Sequence, residues 1–95
     1  MNFLREYDIS DNVIRDIRKY NDKAVVQMLI YDEENVGRVI EYLRNIGVEV
    51  IDEMLINRPE IFSIKCNLLI EAFNKFDLET LVYLINEDIN AINFI

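Results

Sequence analysis

The sequence offers few side chains of the kinds that carry out catalysis. It contains no histidine, which removes the commonest general base and metal ligand. The single cysteine, Cys66, therefore has no histidine to activate it as a nucleophile. Its neighbours Ile64, Leu68 and Leu69 are typical of a core position. One cysteine also excludes an internal disulfide and a zinc site built from thiolates within one chain.

The carboxylates and glycines show no catalytic or ligand-binding spacing. Adjacent acids occur at 33–34, 52–53 and 87–88, and neighbours on a helix do not face each other, so these are poor acid–base pairs. Gly37 and Gly47 stand alone, without a glycine-rich phosphate loop or the spaced carboxylates of a calcium loop. We therefore predict that the protein is not an enzyme and that it binds no cofactor and no metal.

One cluster of basic residues could contact phosphate groups. Arg15, Arg18 and Lys19 share a helix face by their spacing, and Lys23 follows closely. Tyr20, beside them, could stack on a base or close the core. Residues 1–45 hold 7 basic and 9 acidic side chains, whereas residues 46–95 hold 3 and 9. A nucleic-acid surface would therefore lie in the first half, and this cluster carries the nucleic-acid-binding alternative.

The acidic second half instead suits a basic protein partner, since the net charge of the chain is −8. Candidate contacts are Asp52 and Glu53 on an acidic helix, together with an apolar C-terminal turn formed by Ile92, Phe94 and Ile95. Tyr42 and Met54 are further candidate anchors, although both are more typical of a core. We predict a protein-binding module without catalytic activity, and the simplest version is a homodimer through the terminal turn.

The composition predicts a single helical domain over residues 1–95. Apolar residues make up 52% of the chain, but there are only two glycines and one proline, too few for the many turns of an all-β domain. Met1 to Asp8 has no apolar signal-peptide core, and no apolar run approaches the roughly 20 residues that span a bilayer. The expectation is a cytoplasmic protein without membrane contact.

Apolar spacing and capping residues predict where the helices lie. Val36, Val39, Ile40, Leu43 and Ile46 form one stripe on a central helix that ends at Gly47. A second helix follows and stops at Pro59. The stripe expected on the next helix is Ile64, Leu68, Leu69 and Phe73, and that on the last is Leu78, Leu81, Leu84 and Ile85. Expected caps are Asp8 or Ser10, then Asp22, Asp32, Ser63 and Asp77.

Residues 24–31 are apolar almost throughout, so periodicity alone does not separate a buried helix from a buried strand. Strands at 24–31 and 48–51 around the central helix would form a small βαβ unit. However, a lone parallel pair would have two faces to cover with little chain left. Helical spacing also continues through Ile51, Met54 and Leu55. The all-α interpretation is therefore favoured over the α/β alternative.

The sequence also contains an internal echo. Residues 43–48 align with 73–78 at an offset of 30, and the alignment pairs Ile51 with Leu81 and Leu55 with Ile85. A period near 30 with two helices per unit is typical of an α-solenoid.

The pattern Leu43, Ile46-Gly47-Val48, Ile51, Leu55, then Arg58-Pro59-Glu60-Ile61-Phe62 resembles the repeat of the mitochondrial transcription termination factor (mTERF) family. The resemblance covers residues 35–86 and implies short helices in antiparallel pairs, with two to three repeats in this chain. Members of that family stack their repeats into a curved solenoid that holds duplex nucleic acid in a basic groove. This chain differs from them in its acidic charge and its small number of repeats.

Overall fold

The chain folds into a succession of short helices in the computed structural model, which describes residues 1–94. Six α-helices are present: α1 Asp11–Tyr20, α2 Lys23–Tyr31, α3 Glu33–Asn45, α4 Ile51–Asn57, α5 Cys66–Phe73 and α6 Leu78–Glu87. Three 3-10 helices accompany them: η1 Asn2–Tyr7, η2 Pro59–Ser63 and η3 Ile89–Phe94. The predicted all-α class is confirmed, and residues 1–94 contain no strand.

Residues 24–31 form a helix, so the α/β alternative with strands at 24–31 and 48–51 is wrong. The Asp22 side chain accepts a hydrogen bond from the Val25 amide at 3.1 Å and starts α2. Val26 and Leu29 are buried, and α2 packs against η2, α1 and α3. Residues 48–50 form a connection, and Ile51 already begins α4.

Most of the predicted caps are confirmed. Ser10, Asp32 and Asp77 accept hydrogen bonds from first-turn amides of α1, α3 and α6. The prediction for Ser63 is wrong, because this residue ends η2 and its hydroxyl donates to the Glu60 carbonyl at 2.7 Å. A side chain engaged with the preceding turn does not cap the next helix, and α5 begins after Lys65 without a side-chain cap.

Helix α3 lies at the centre of the molecule and packs against η1, α2, α4, η2 and α5. The predicted stripe is buried at Val36, Val39, Ile40 and Leu43. The chain leaves α3 through Gly47, whose φ of 103° lies in the region that favours glycine. The Val48 amide then donates to the Leu43 carbonyl at 2.9 Å, which closes the end of the helix.

The order of two α-helices followed by a 3-10 helix occurs twice, at 33–63 and at 66–94. We call these segments the middle unit and the last unit, and residues 2–31 the first unit. Elements of successive units lie side by side, since η1 packs on α3, α3 on α5, α1 on α4 and α2 on η2. The result is a body of 34 × 24 × 22 Å with one continuous apolar core.

Asparagine side chains connect the units. Asn21 follows α1 and donates to the Ile56 carbonyl of α4 at 2.8 Å. Asn86 of α6 donates to the Gly47 carbonyl at 3.0 Å and accepts from the Glu49 amide at 2.7 Å. These bonds satisfy backbone groups of the middle unit with side chains from the units on either side of it.

Candidate interaction surface

The predicted basic cluster is exposed on the first unit. Arg15, Arg18 and Lys19 lie on α1, and Lys23 is the first residue of α2. Arg15 donates to the Asn12 side chain at 2.9 Å, and the Lys19 ammonium lies 5.3 Å from the centroid of the Tyr20 ring. The cations are thus accessible, but each of these two contacts is local to α1. Nucleic-acid binding through this cluster stays a prediction.

The predicted acidic contacts, Asp52 and Glu53, are exposed in the first turn of α4. This helix has no side-chain cap, and carboxylates near a helix N-terminus interact favourably with its dipole. Stabilising the start of α4 therefore accounts for both residues without a partner.

The predicted terminal anchors fall in different environments. Ile92 is only 7% exposed and belongs to the core of the chain itself, so it is not available to a partner. The side chain of Phe94 and the whole of Ile95 lie outside the described residues.

An apolar surface lies on the last unit and on the turn that leads into it. Ile64, Leu68, Phe76 and Leu84 are 40%, 53%, 43% and 46% exposed. The expectation that Ile64 and Leu68 lie on the buried side of the predicted penultimate helix is therefore wrong, and Leu84 of the stripe predicted on the last helix is exposed. On α5, Leu69 and Phe73 turn inward, whereas Leu68 is exposed and Ala72 is half-buried. Ile64 before the helix and Phe76 after it continue this spacing of four residues and are also exposed. We call the whole set the C-terminal apolar surface; its members are Ile64, Leu68, Ala72, Phe76, Leu84 and Ala91.

The C-terminal apolar surface is concave. One depression of about 240 Å³ includes Ile64, Leu68 and Ala72 in its lining, with the buried Ile92 at its edge. Another of about 190 Å³ is lined by Phe76, Asp77, Thr80, Leu81, Leu84 and Ala91. A third of about 470 Å³ shares Leu84 and Ala91 with the second. Concavity allows these side chains to surround an apolar group that enters from a partner.

Carboxylates border the depressions on the α6 side. Asp77 lines the second depression, and Glu87 and Asp88 line the third. Within the part of the chain that the structure describes, none of the three forms an ion pair, and no cation lines either depression. In the first depression Arg58 is paired with Glu60 at 2.7 Å. The second and third depressions therefore combine apolar side chains with carboxylates that have no ion-pair partner among the described residues.

A separate polar depression of about 250 Å³ lies where α3 and α5 begin. The Asn35 amide and the Lys65 ammonium donate to Asp32, at 3.2 and 3.1 Å, and both bonds lower the pKa of Asp32. Burial raises the pKa of the Cys66 thiol, which keeps it protonated and weakly nucleophilic. The polar groups here bond to one another and hold two helix starts together.

Burial also raises the pKa of Tyr42, whose ring packs edge-on against Phe73 with centroids 5.8 Å apart. This candidate anchor thus lies between α3 and α5, and the other, Met54, is fully buried.

No group of three or more potential metal ligands is assembled within residues 1–94. The longest helix described, α3, has 13 residues, and no described helix combines the length and apolarity needed to cross a bilayer. Comparisons with family models, with curated proteins and with solved structures found no match to this chain.

Proposed function

We propose that this chain is a small helical interaction module that binds a protein partner through the C-terminal apolar surface. The observation that carries the proposal is the exposure of four large aliphatic or aromatic residues, of which Ile64 and Leu68 line one depression and Phe76 and Leu84 line another. Among the residues whose burial the structure describes, the other exposed large hydrophobics are the tyrosines Tyr20, Tyr31 and Tyr83, whose hydroxyl groups tolerate water.

The energetics favour covering this surface. Each Å² of apolar area removed from water contributes about 25 cal/mol, so burial of several half-exposed side chains supplies a binding free energy. Contiguous apolar patches on small proteins commonly mark interaction sites. The concave shape adds to this, because a partner side chain gains contacts on several sides at once.

The proposal includes the helical-repeat interpretation of the chain. The recurring order of two α-helices and one 3-10 helix supports it, as does the side-by-side packing of elements from successive units. In such an array each unit covers the apolar face of its neighbour, and an end unit keeps one face open. The likeness to the mTERF family stays a prediction.

Site-specific crosslinking in the host cells tests the proposal. A photo-reactive amino acid at position 84 is expected to crosslink one protein reproducibly, whereas the same group at Tyr31, 90% exposed on α2, serves as the matched control. Adding Leu68→Ser to the position-84 protein should reduce that crosslink. Equal crosslinking from both positions, or none from position 84, would contradict the proposal.

The nucleic-acid alternative has its own readout. A labelled duplex that binds at low salt, and is released both by added salt and by Arg15→Glu/Lys19→Glu, would favour that function over the one proposed. We expect no such binding, because the acidic residues outweigh the basic ones even in the first half of the chain.

A further inference from the structure

Four of the six members of the C-terminal apolar surface align with apolar positions of the middle unit, whereas Ile64 and Leu68 align with the exposed Glu34 and Arg38. At the sequence offset of 30 residues, its members Ala72, Phe76, Leu84 and Ala91 correspond to Tyr42, Ile46, Met54 and Ile61 of the middle unit. All four of those positions are buried or half-buried. One contact to the last unit is explicit, since the Tyr42 ring meets Phe73 of α5.

Two of the aligned positions are more exposed in the last unit than in the middle unit. Phe76 and Leu84 are 43% and 46% exposed, whereas Ile46 is half-buried and Met54 is fully buried. A surface that repeats a helix-packing face, in a molecule whose units pack helix against helix, is shaped for another helix.

The carboxylates around Leu84 restrict the charge of the helix that can bind there. Asp77, Glu87 and Asp88 border the depressions around Leu84, and no described cation makes an ion pair with them. Within residues 1–94 the Glu87 carboxylate has no hydrogen-bond partner, and the Asp88 carboxylate accepts only from the nearby Asn90 amide, at 2.9 Å. A ligand helix with Lys or Arg beside its apolar stripe would meet these carboxylates as opposite charges.

We propose that the occupant of the C-terminal apolar surface is a basic amphipathic helix supplied by a different protein. Its apolar side chains, at intervals of three and four residues, enter the depressions around Phe76 and Leu84. Its cations lie over Glu87 and Asp88. This inference rests on the proposed function for the role of the surface, and it adds the chemistry of the partner.

A second copy of the chain fits the surface less well in either arrangement. In a two-fold pairing each face would bring Asp77, Glu87 and Asp88 into an interface that already holds the same three acids. In a head-to-tail pairing α1 would supply cations, but the only large hydrophobic residue that it exposes is Tyr20, at 63%. The first arrangement brings like charges together, and the second offers too little apolar area to cover the surface.

The experiment measures fluorescence anisotropy of two labelled peptides of about 18 residues, long enough for five helical turns, titrated with the full chain. Both carry the same leucine stripe, and one has Lys on its flanks where the other has Glu. The basic peptide is expected to bind at least about tenfold more tightly, a difference that shrinks as salt rises.

Substitutions on the C-terminal apolar surface test which side chains contact the peptide. Leu84→Asp should weaken the basic peptide by about tenfold or more, whereas Tyr31→Asp leaves its affinity unchanged. Glu87→Lys should weaken the basic peptide and strengthen the acidic one, with Glu33→Lys, at the exposed start of α3, as the matched control. Circular dichroism checks that each variant is folded. Phe76→Ser repeats the test at a second position in case Leu84→Asp perturbs α6.

The outcomes separate this inference from the proposed function. The inference that the occupant is a basic helix is wrong if both peptides bind equally well. It is also wrong if Leu84→Asp and Phe76→Ser leave the affinity of the basic peptide unchanged. If neither peptide binds but light scattering shows a dimer that Leu84→Asp dissociates, a second copy is the occupant. The interaction function then stands and the inference falls. If no dimer forms, no peptide binds and position 84 crosslinks nothing, both fall.

Discussion

Asn35 is the one polar residue among the buried side chains of residues 1–94, at 7% exposure. Its amide nitrogen donates to the carbonyls of Phe62 and Ile64, at 3.3 and 2.7 Å, and its oxygen accepts from the Cys66 amide at 2.9 Å. One side chain on α3 thus satisfies three backbone groups around the junction of η2 and α5. The junction has no other side-chain cap, so its conformation depends on this amide.

Asn35→Ala is expected to lower the free energy of unfolding by about 2–4 kcal/mol, because it leaves those three backbone groups without partners. Urea denaturation followed by circular dichroism measures the change. Asn67→Ala, on the exposed side of α5, is the control and should cost less than about 0.5 kcal/mol. An Asn35→Ala protein as stable as the control would show that water replaces the lost bonds.

Gly37 permits a close approach between α3 and η1. A Cβ atom there would overlap the ring and hydroxyl of Tyr7. Although alanine usually stabilises a helix interior by about 1 kcal/mol over glycine, Gly37→Ala is expected to destabilise this protein by about 1–2 kcal/mol.

A double-mutant cycle in urea with Tyr7→Ala tests this explanation. Once the ring is removed, Gly37→Ala should become neutral or stabilising by up to about 1 kcal/mol. Destabilisation of the same size in both backgrounds would place the cause elsewhere than at Tyr7.

Asp32 makes the stability of the fold depend on pH in the acid range. The hydrogen bond from the backbone amide of Asn35 lowers the pKa of Asp32 below the ordinary value of 3.8, and the bond from Lys65 lowers it further. A carboxyl group with a lowered folded-state pKa stabilises the fold above its unfolded pKa. That contribution is lost as the pH falls below 3.8 through the folded-state pKa.

The stability advantage of the wild type over Asp32→Asn should therefore shrink between about pH 5 and about pH 2. Urea denaturation of both proteins across this range measures it. A difference that is constant with pH would show that the charge of Asp32 contributes nothing.

At the scale of elements, α2 shows how an N-cap favours the helical conformation of an apolar segment that could form either a helix or a strand. Asp22 fixes the start of the helix at its first amides, and Asn21 beside it bonds to α4. We expect Asp22→Ala to cost about 1 kcal/mol in urea denaturation, and Asp22→Ser to recover most of that loss. No loss in Asp22→Ala would mean that packing of Val26 and Leu29 alone holds α2.

The sequence predicted the elements better than it predicted their orientation. Ser10, Asp32, Asp77 and Gly47 act on backbone groups within a few residues of themselves, so local spacing was enough to find the helix ends. Helix α5, CNLLIEAF, is apolar on more than one side, and periodicity alone did not choose between its stripes. Which stripe is buried depends on whether another unit covers it, and that is not a local property of the sequence.

At the scale of the whole molecule, stability is expected to be highest in the middle unit. Helix α3 contacts five other elements, whereas η3 packs mainly on α6. Hydrogen exchange should therefore be slowest at amides of α3 and α4 and fastest in η1 and η3. Exchange monitored by NMR measures this order. A uniform rate across all helices would instead indicate that the chain opens only as a whole.

The first unit and the last unit also differ in a way that bears on stoichiometry. The first unit presents charged α1 to solvent, and the last unit presents aliphatic side chains. Under the proposed function, the C-terminal apolar surface takes up one partner helix. A complex formed through that surface alone would therefore have a one-to-one composition.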